Sequence, residues 1–150
     1  MSIVFSYLGI RKRFKFIASV RELIVLLIEI EDKKLGEISI IFTSKGKILE
    51  INKRFLNRNY DTDVITFNNS KRDSISGDIY IGVEQVIINS KRFKSPARDE
   101  LLRVIIHGVL HLIGYDDKSD IEKMNMRAKE DLYLGKLQVR NSIEGSGLEL

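Results

Sequence analysis

Two spacings of apolar residues alternate along this chain. In Ser19–Ile30 they recur every three or four positions, the pattern of a helix with one face on a core. Ile38–Phe42 is a β-branched and aromatic run between glycines and reads as a strand. Helical spacing returns in Lys47–Leu56, with Ile48, Ile51 and Phe55 on one face. Tyr60–Phe67 reads as a strand opened by turn-forming aspartates, Asn68–Gly77 as a polar loop, Gly77–Val83 as an alternating strand and Val83–Phe93 as a helix. Near the N-terminus, Ser2–Tyr7 and Arg13–Ile17 read as short strands, or as a strand with a loop. Ser95 is placed as an N-cap with Pro96 at the first helical position, opening a helix that runs to Gly114, a fitting C-terminal glycine. Ser119 caps a last helix over about Ile121–Leu132.

Residues 1–135 therefore predict one domain, and residues 136–150, without a clear period, a frayed tail. Interleaved helices and strands predict an α+β fold: a small mixed sheet of about four strands packed with about five helices.

Composition narrows the class. With 150 residues, 43% hydrophobic and 31% charged, the chain can bury a real core and is not of the disordered type. It has no cysteine, which excludes disulfides and thiolate metal sites. At the N-terminus the charges follow the apolar residues, the reverse of a signal peptide. The apolar run Ile24–Ile28 is far too short to span a bilayer. A soluble, cytoplasmic protein is expected. The net charge of +4 is gathered in knots at Arg11–Lys15, Lys53/Arg54/Arg58, Lys71/Arg72 and Lys91–Lys94. Such knots suit either a solvated surface or salt-sensitive binding to nucleic acid, and charge alone favours the former.

The chain's two histidines change the picture. His107 and His111 lie four residues apart in HGVLHLIGYDD. Four residues along a helix come round to within about 40° of the start, so both imidazoles project from one face. Such a pair can grip one metal ion at about 2.0–2.1 Å. Gly114 then turns the chain, and Asp116 or Asp117 can supply a third ligand. Two histidines and a carboxylate leave a position open for water, as catalytic zinc sites do. The bland alternative is a core histidine packed beside Ile105, Ile106, Val109 and Leu110. Zincin proteases use H-E-x-x-H, with glutamate as general base. Here Gly108 stands at that position, which argues against peptide hydrolysis.

HGVLHLIGYDD resembles the H-G-x-L-H-L-x-G-x-D-H signature of the YbeY family, metal-dependent endoribonucleases of ribosomal RNA maturation. Three further segments resemble the family in the same order: Ile51–Phe67 (Asn52, Phe55, Thr62, Asp63, Val64 and Phe67 match), Gly77–Ile79, and Glu100–Gly108. The resemblance implies metal ligands at His107, His111 and Asp117, the last replacing the family's third histidine, with the site at the end of a central helix. It implies one zinc ion (Zn2+) per chain, although two histidines and a carboxylate also suit other divalent metals. It further implies cleavage of single-stranded RNA in small-subunit 3′-end maturation and ribosome quality control, with small-subunit ribosomal proteins and an assembly GTPase as partners. No DNA or membrane partner is expected. Leu56 stands where the family has an arginine thought to contribute to cleavage. Arg58, then Arg54, are candidates to replace it. Asp63, Asp78 and Glu100 are candidates to orient the imidazoles, and Tyr115 to stack on a base or pack beside the turn. Leu56 and Asp117 keep an alternative open: a non-catalytic RNA-binding assembly factor with a structural metal.

Overall fold

The structure, a computed structural model, describes residues 1–144, with side chains through Leu137. Four strands form one mixed sheet: β1 (Ser2–Leu8), β2 (Lys34–Thr43), β3 (Val64–Asn68) and β4 (Ser74–Gly82). Their order is β1-β2-β4-β3, parallel except for β3, which runs antiparallel to β4 at one edge. The register aligns Ile3 with Ile38, Ile40 with Ile79 and Phe42 with Ile81, so one sheet face is continuously apolar. Around it stand five helices: α1 (Ile17–Ile30), α2 (Lys45–Leu56), α3 (Val83–Arg92), α4 (Ala97–Ile113) and α5 (Asp120–Glu144). The sheet, helix count and α+β class are those the sequence predicts.

α4 is the central helix. It packs across β3 and β4 and lies against α3, α5 and α1. Leu101, Leu102, Val104, Ile105, Ile106, Val109, Leu110 and Leu112 are all buried. Fully burying one such side chain is worth about 1.5–3 kcal/mol, so packing fixes this helix far more firmly than its intrinsic propensity does. Gly108 permits the close approach to β4: a Cβ there would stand 2.7 Å from the Ile79 Cγ2 atom. Gly114 ends the helix at φ +123°, a conformation that residues with side chains rarely adopt.

The structure differs from the sequence reading at several places. Arg13–Ile17 is no strand. Phe14 and Phe16 turn their rings onto Phe42, and the Phe14 N–H donates to the Tyr7 hydroxyl at 3.0 Å instead of joining a ladder. Two inward aromatics in alternation imitate a strand without a sheet edge to pair with. Pro96 is itself the N-cap, in extended conformation, with Ala97 the first helical residue; the Ser95 hydroxyl makes no hydrogen bond. β4 begins at Ser74 because Ile75 already points into the core, which shortens the polar loop. α2 starts at Lys45, capped by the Ser44 side chain. α5, capped reciprocally by Ser119 and Glu122, passes Leu132 and continues to Glu144. Buried Tyr133, Leu134 and Leu137 extend its core face, and Gly135 does not stop it. The rest of the span read as a tail, residues 145–150, lies outside the described residues. Among the described residues no helix is long and apolar enough to cross a membrane.

Candidate metal centre

α4 presents His107 and His111 on one face near its C-terminal end, and the turn after Gly114 brings Asp117 back over them. The two Nε2 atoms are 2.9 Å apart, and the Asp117 Oδ2 atom lies 3.3 Å from His107 Nε2 and 3.5 Å from His111 Nε2. Three ligands bound at about 2.0–2.1 Å to a tetrahedral ion stand about 3.3 Å from one another. The observed triangle matches that spacing, and its donors, two imidazoles and a carboxylate, are those zinc accepts. Among the described residues this is the group of histidine and acidic side chains able to hold a metal. Asp116 is not part of it: its carboxylate accepts the Asp117 N–H at 2.9 Å and faces Lys118.

The orientation of the His107 ring is fixed from behind. His107 Nδ1 lies 2.7 Å from Glu130 Oε2 on α5, so the ring donates its Nδ1–H to that carboxylate and turns the Nε2 lone pair toward the centre. Glu130 is buried, and its other oxygen accepts from Arg103 at 3.1 Å; Arg103 also donates to Asp131 at 2.7 Å. Burial alone would lower the pKa of His107, but the hydrogen bond and charge of Glu130, with the charges of Asp117 and Asp63, hold it above the ordinary value. The same carboxylates make the centre attractive to any cation. Asp63 has its own pKa raised by burial, against the opposing pull of His107, backbone N–H groups and Asn89.

Of the residues expected to orient the imidazoles, Glu130 was not among them, and it makes the contact. Glu100 lies on α4 with its pKa raised by burial and makes no hydrogen bond to either ring. Asp78 alternates with Gly77 and Ile79, which face α4, and therefore points to the other side of the sheet.

Two further supports hold the ligand-bearing segments. The Asn68 side chain donates to the carbonyl of Leu112 at 3.1 Å, and Ser70 donates to the same carbonyl at 3.2 Å, closing the C-terminal end of α4. On the other flank, half-buried Glu31 at the end of α1 accepts hydrogen bonds from the Tyr115 and Tyr133 hydroxyls and from Lys129 at 2.9 Å. Burial would raise the pKa of Glu31, but these donors together hold it below the ordinary value. Tyr115 is thus a tether for the turn that carries Asp117, with Lys129 over its ring, and not a free stacking surface.

The triangle opens into a cleft of about 370 Å³ whose walls include Leu56, Arg58, Thr62, Asp63 and Thr66. Arg58 therefore shares the cleft with the ligands. Arg54 instead lies over the Phe55 ring, 5.4 Å from its centroid, and does not line the cleft.

Fold and site together define a small α+β protein with a His/His/Asp cluster able to hold a metal ion at the end of its central helix, open to a polar cleft. Comparison with known proteins gives that class its family. A model of the family described as Endoribonuclease YbeY matches residues 10–138. The Endoribonuclease YbeY of Karelsulcia muelleri is 48% identical over 111 residues, 74% of this chain and 79% of the relative. That of Flavobacterium psychrophilum is 49% identical over 112 residues, 75% and 80% of the two chains. The solution structure of TM1509 from Thermotoga maritima superposes with a TM-score of 0.68 at 28% identity, covering 96% of this chain and 97% of that one. The chain belongs to the Endoribonuclease YbeY family.

Proposed function

We propose that this chain is a metal-dependent endoribonuclease that cuts single-stranded ribosomal RNA in small-subunit 3′-end maturation and ribosome quality control, in the cytoplasm. The observation that carries the reading is the triangle of His107, His111 and Asp117 donor atoms at metal-binding spacing, beside a cleft holding a cation. These three residues would hold one zinc ion. When bound, zinc lowers the pKa of a coordinated water to near 7 and polarises a phosphoryl oxygen.

The remaining work falls to the chain's own groups. Glu130 keeps His107 in the tautomer that can ligate. Asp117 closes the third side from a turn that Tyr115 and Glu31 hold in place. Arg58 takes over the place of the family arginine and stabilises charge on the non-bridging oxygens as the phosphodiester is cleaved. Asp63, close enough to His107 to feel its charge and with a raised pKa, can hold a proton beside the cleft. Small-subunit ribosomal proteins and an assembly GTPase complete the reading as partners.

The test is metal analysis of the purified protein with a cleavage assay on single-stranded and duplex RNA, with and without chelator. One zinc per chain, with cleavage of the single strand that chelation abolishes, is expected. Cleavage that survives complete metal removal would defeat the reading. RNA binding without cleavage by the metal-loaded protein would replace it with the assembly-factor role that Leu56 leaves open.

A further inference from the structure

The metal ligands face two clefts, and the second holds cations of its own. On the α5 side, His107 and Asp117 line a cleft of about 230 Å³ together with Lys123 and Arg127. Lys123 and Arg127 are four residues apart, on one face of the helix, with the buried Met126 seated between them. Both are exposed, and among the described residues neither side chain makes a hydrogen bond or ion pair, although the charge of Arg127 acts on Glu100. Their neighbours differ: Arg103 is committed to Glu130 and Asp131, and Lys129 to Glu31. The cleft's acidic groups are Asp117, which faces the two histidines, Glu130, already bound to His107 and Arg103, and Glu100, whose burial favours its neutral form. Among the described residues, Lys123 and Arg127 are therefore the cations of this cleft whose side chains make no hydrogen bond or ion pair. Next to this cleft lies a further space whose walls carry Asp99, Glu100 and Asp131 beside Arg103 and Arg127.

We propose that Lys123 and Arg127 form a second phosphate-binding arm, which holds the RNA backbone on the side of the metal centre opposite Arg58. The scissile phosphate then lies between two cationic arms. The proposal rests on the reading of RNA as substrate. The arm is a positioning device: its contacts to flanking phosphates exist before the reaction and persist through it, so they act on KM more than on kcat.

The test is the double variant Lys123→Gln/Arg127→Gln, compared with Arg11→Gln/Lys12→Gln, an equal loss of charge at exposed positions in the loop after β1. Anisotropy titrations of a fluorescein-labelled single-stranded RNA, in EDTA to keep the strand intact, give the salt dependence of binding. KM and kcat are measured on zinc-loaded protein. Loss of two phosphate contacts flattens the slope of log K against log salt by about 1.4. The α5 variant is expected to show that change and a raised KM with kcat unaltered, while the control keeps the wild-type slope. An α5 variant with the slope and KM of the control overturns the arm and leaves the nuclease reading intact. A wild-type protein that binds RNA but does not cut it removes the nuclease reading, while the slopes still decide on the arm. A wild type without salt-dependent RNA binding removes both.

Discussion

Glu130 is the residue through which the metal centre can be weakened without touching a ligand. Replacing it with glutamine keeps the shape of the side chain and removes the charge that receives the His107 Nδ1–H. His107 then loses the field that raises its basicity, and the amide can present either end to the ring. Removing such a supporting carboxylate costs about 10–100-fold in metal affinity, or about 1.4–2.7 kcal/mol. The fold loses less, because Arg103 keeps its 2.7 Å contact with Asp131 and is not left as an unpaired buried charge. A competition titration of zinc between the protein and a chromophoric chelator reads the affinity, and urea unfolding of the metal-free protein reads the fold. The matched control is Asp131→Asn, which disturbs the same arginine and leaves His107 alone; its zinc affinity is expected to stay at the wild-type value. Equal zinc affinity in Glu130→Gln and wild type would refute the argument that this carboxylate orients and charges the ligand.

Other expectations follow from single contacts. Gly108→Ala places a methyl group 2.7 Å from the branched end of Ile79 in the sheet. The strain, about 1–3 kcal/mol, exceeds the gain of up to about 1 kcal/mol in helix propensity, so urea unfolding should show a net loss; a stabilised variant would mean α4 does not approach β4 this closely. Glu31 has a lowered pKa, so its contribution to stability is complete above the ordinary glutamate value of 4.5 and disappears as pH falls through the lower folded value. Glu31→Gln should therefore be less stable than wild type at pH 7 and approach it in acid, and parallel stability curves would contradict the assigned donors. Arg58→Ala should lower kcat by about 10²–10³, while Arg54→Ala, lying on Phe55, should stay close to wild type; the reverse order would shift the phosphate contact to the helix.

The His107, His111 and Asp117 cluster was legible in the sequence where its geometry is local. A helix places His107 and His111 together by arithmetic, and Gly114 with the acidic pair after it marks the turn. What spacing could not reveal is Glu130, which meets His107 across 23 residues and from another helix. Nothing in a buried glutamate's sequence neighbourhood separates it from the surface acids of α5. The same holds for Glu31, which reaches Tyr115 and Tyr133 across even longer separations. In the fold, apolar periodicity located β2, α1 and α4 because each presents a sustained face to the core. It left Arg13–Ile17, where Phe14 and Phe16 alternate inward from a loop, open between strand and loop, and it ended α5 too early, where Tyr133 and Leu137 carry the core face beyond Leu132.

The central claim is that one divalent ion sits between His107, His111 and Asp117. Anomalous diffraction at the zinc edge, from crystals of the zinc-loaded protein, tests it most directly. The account predicts a single strong peak within bonding distance of both Nε2 atoms and an Asp117 carboxylate oxygen. A peak elsewhere, or an ion bound by the histidines with Asp117 turned away, would contradict it.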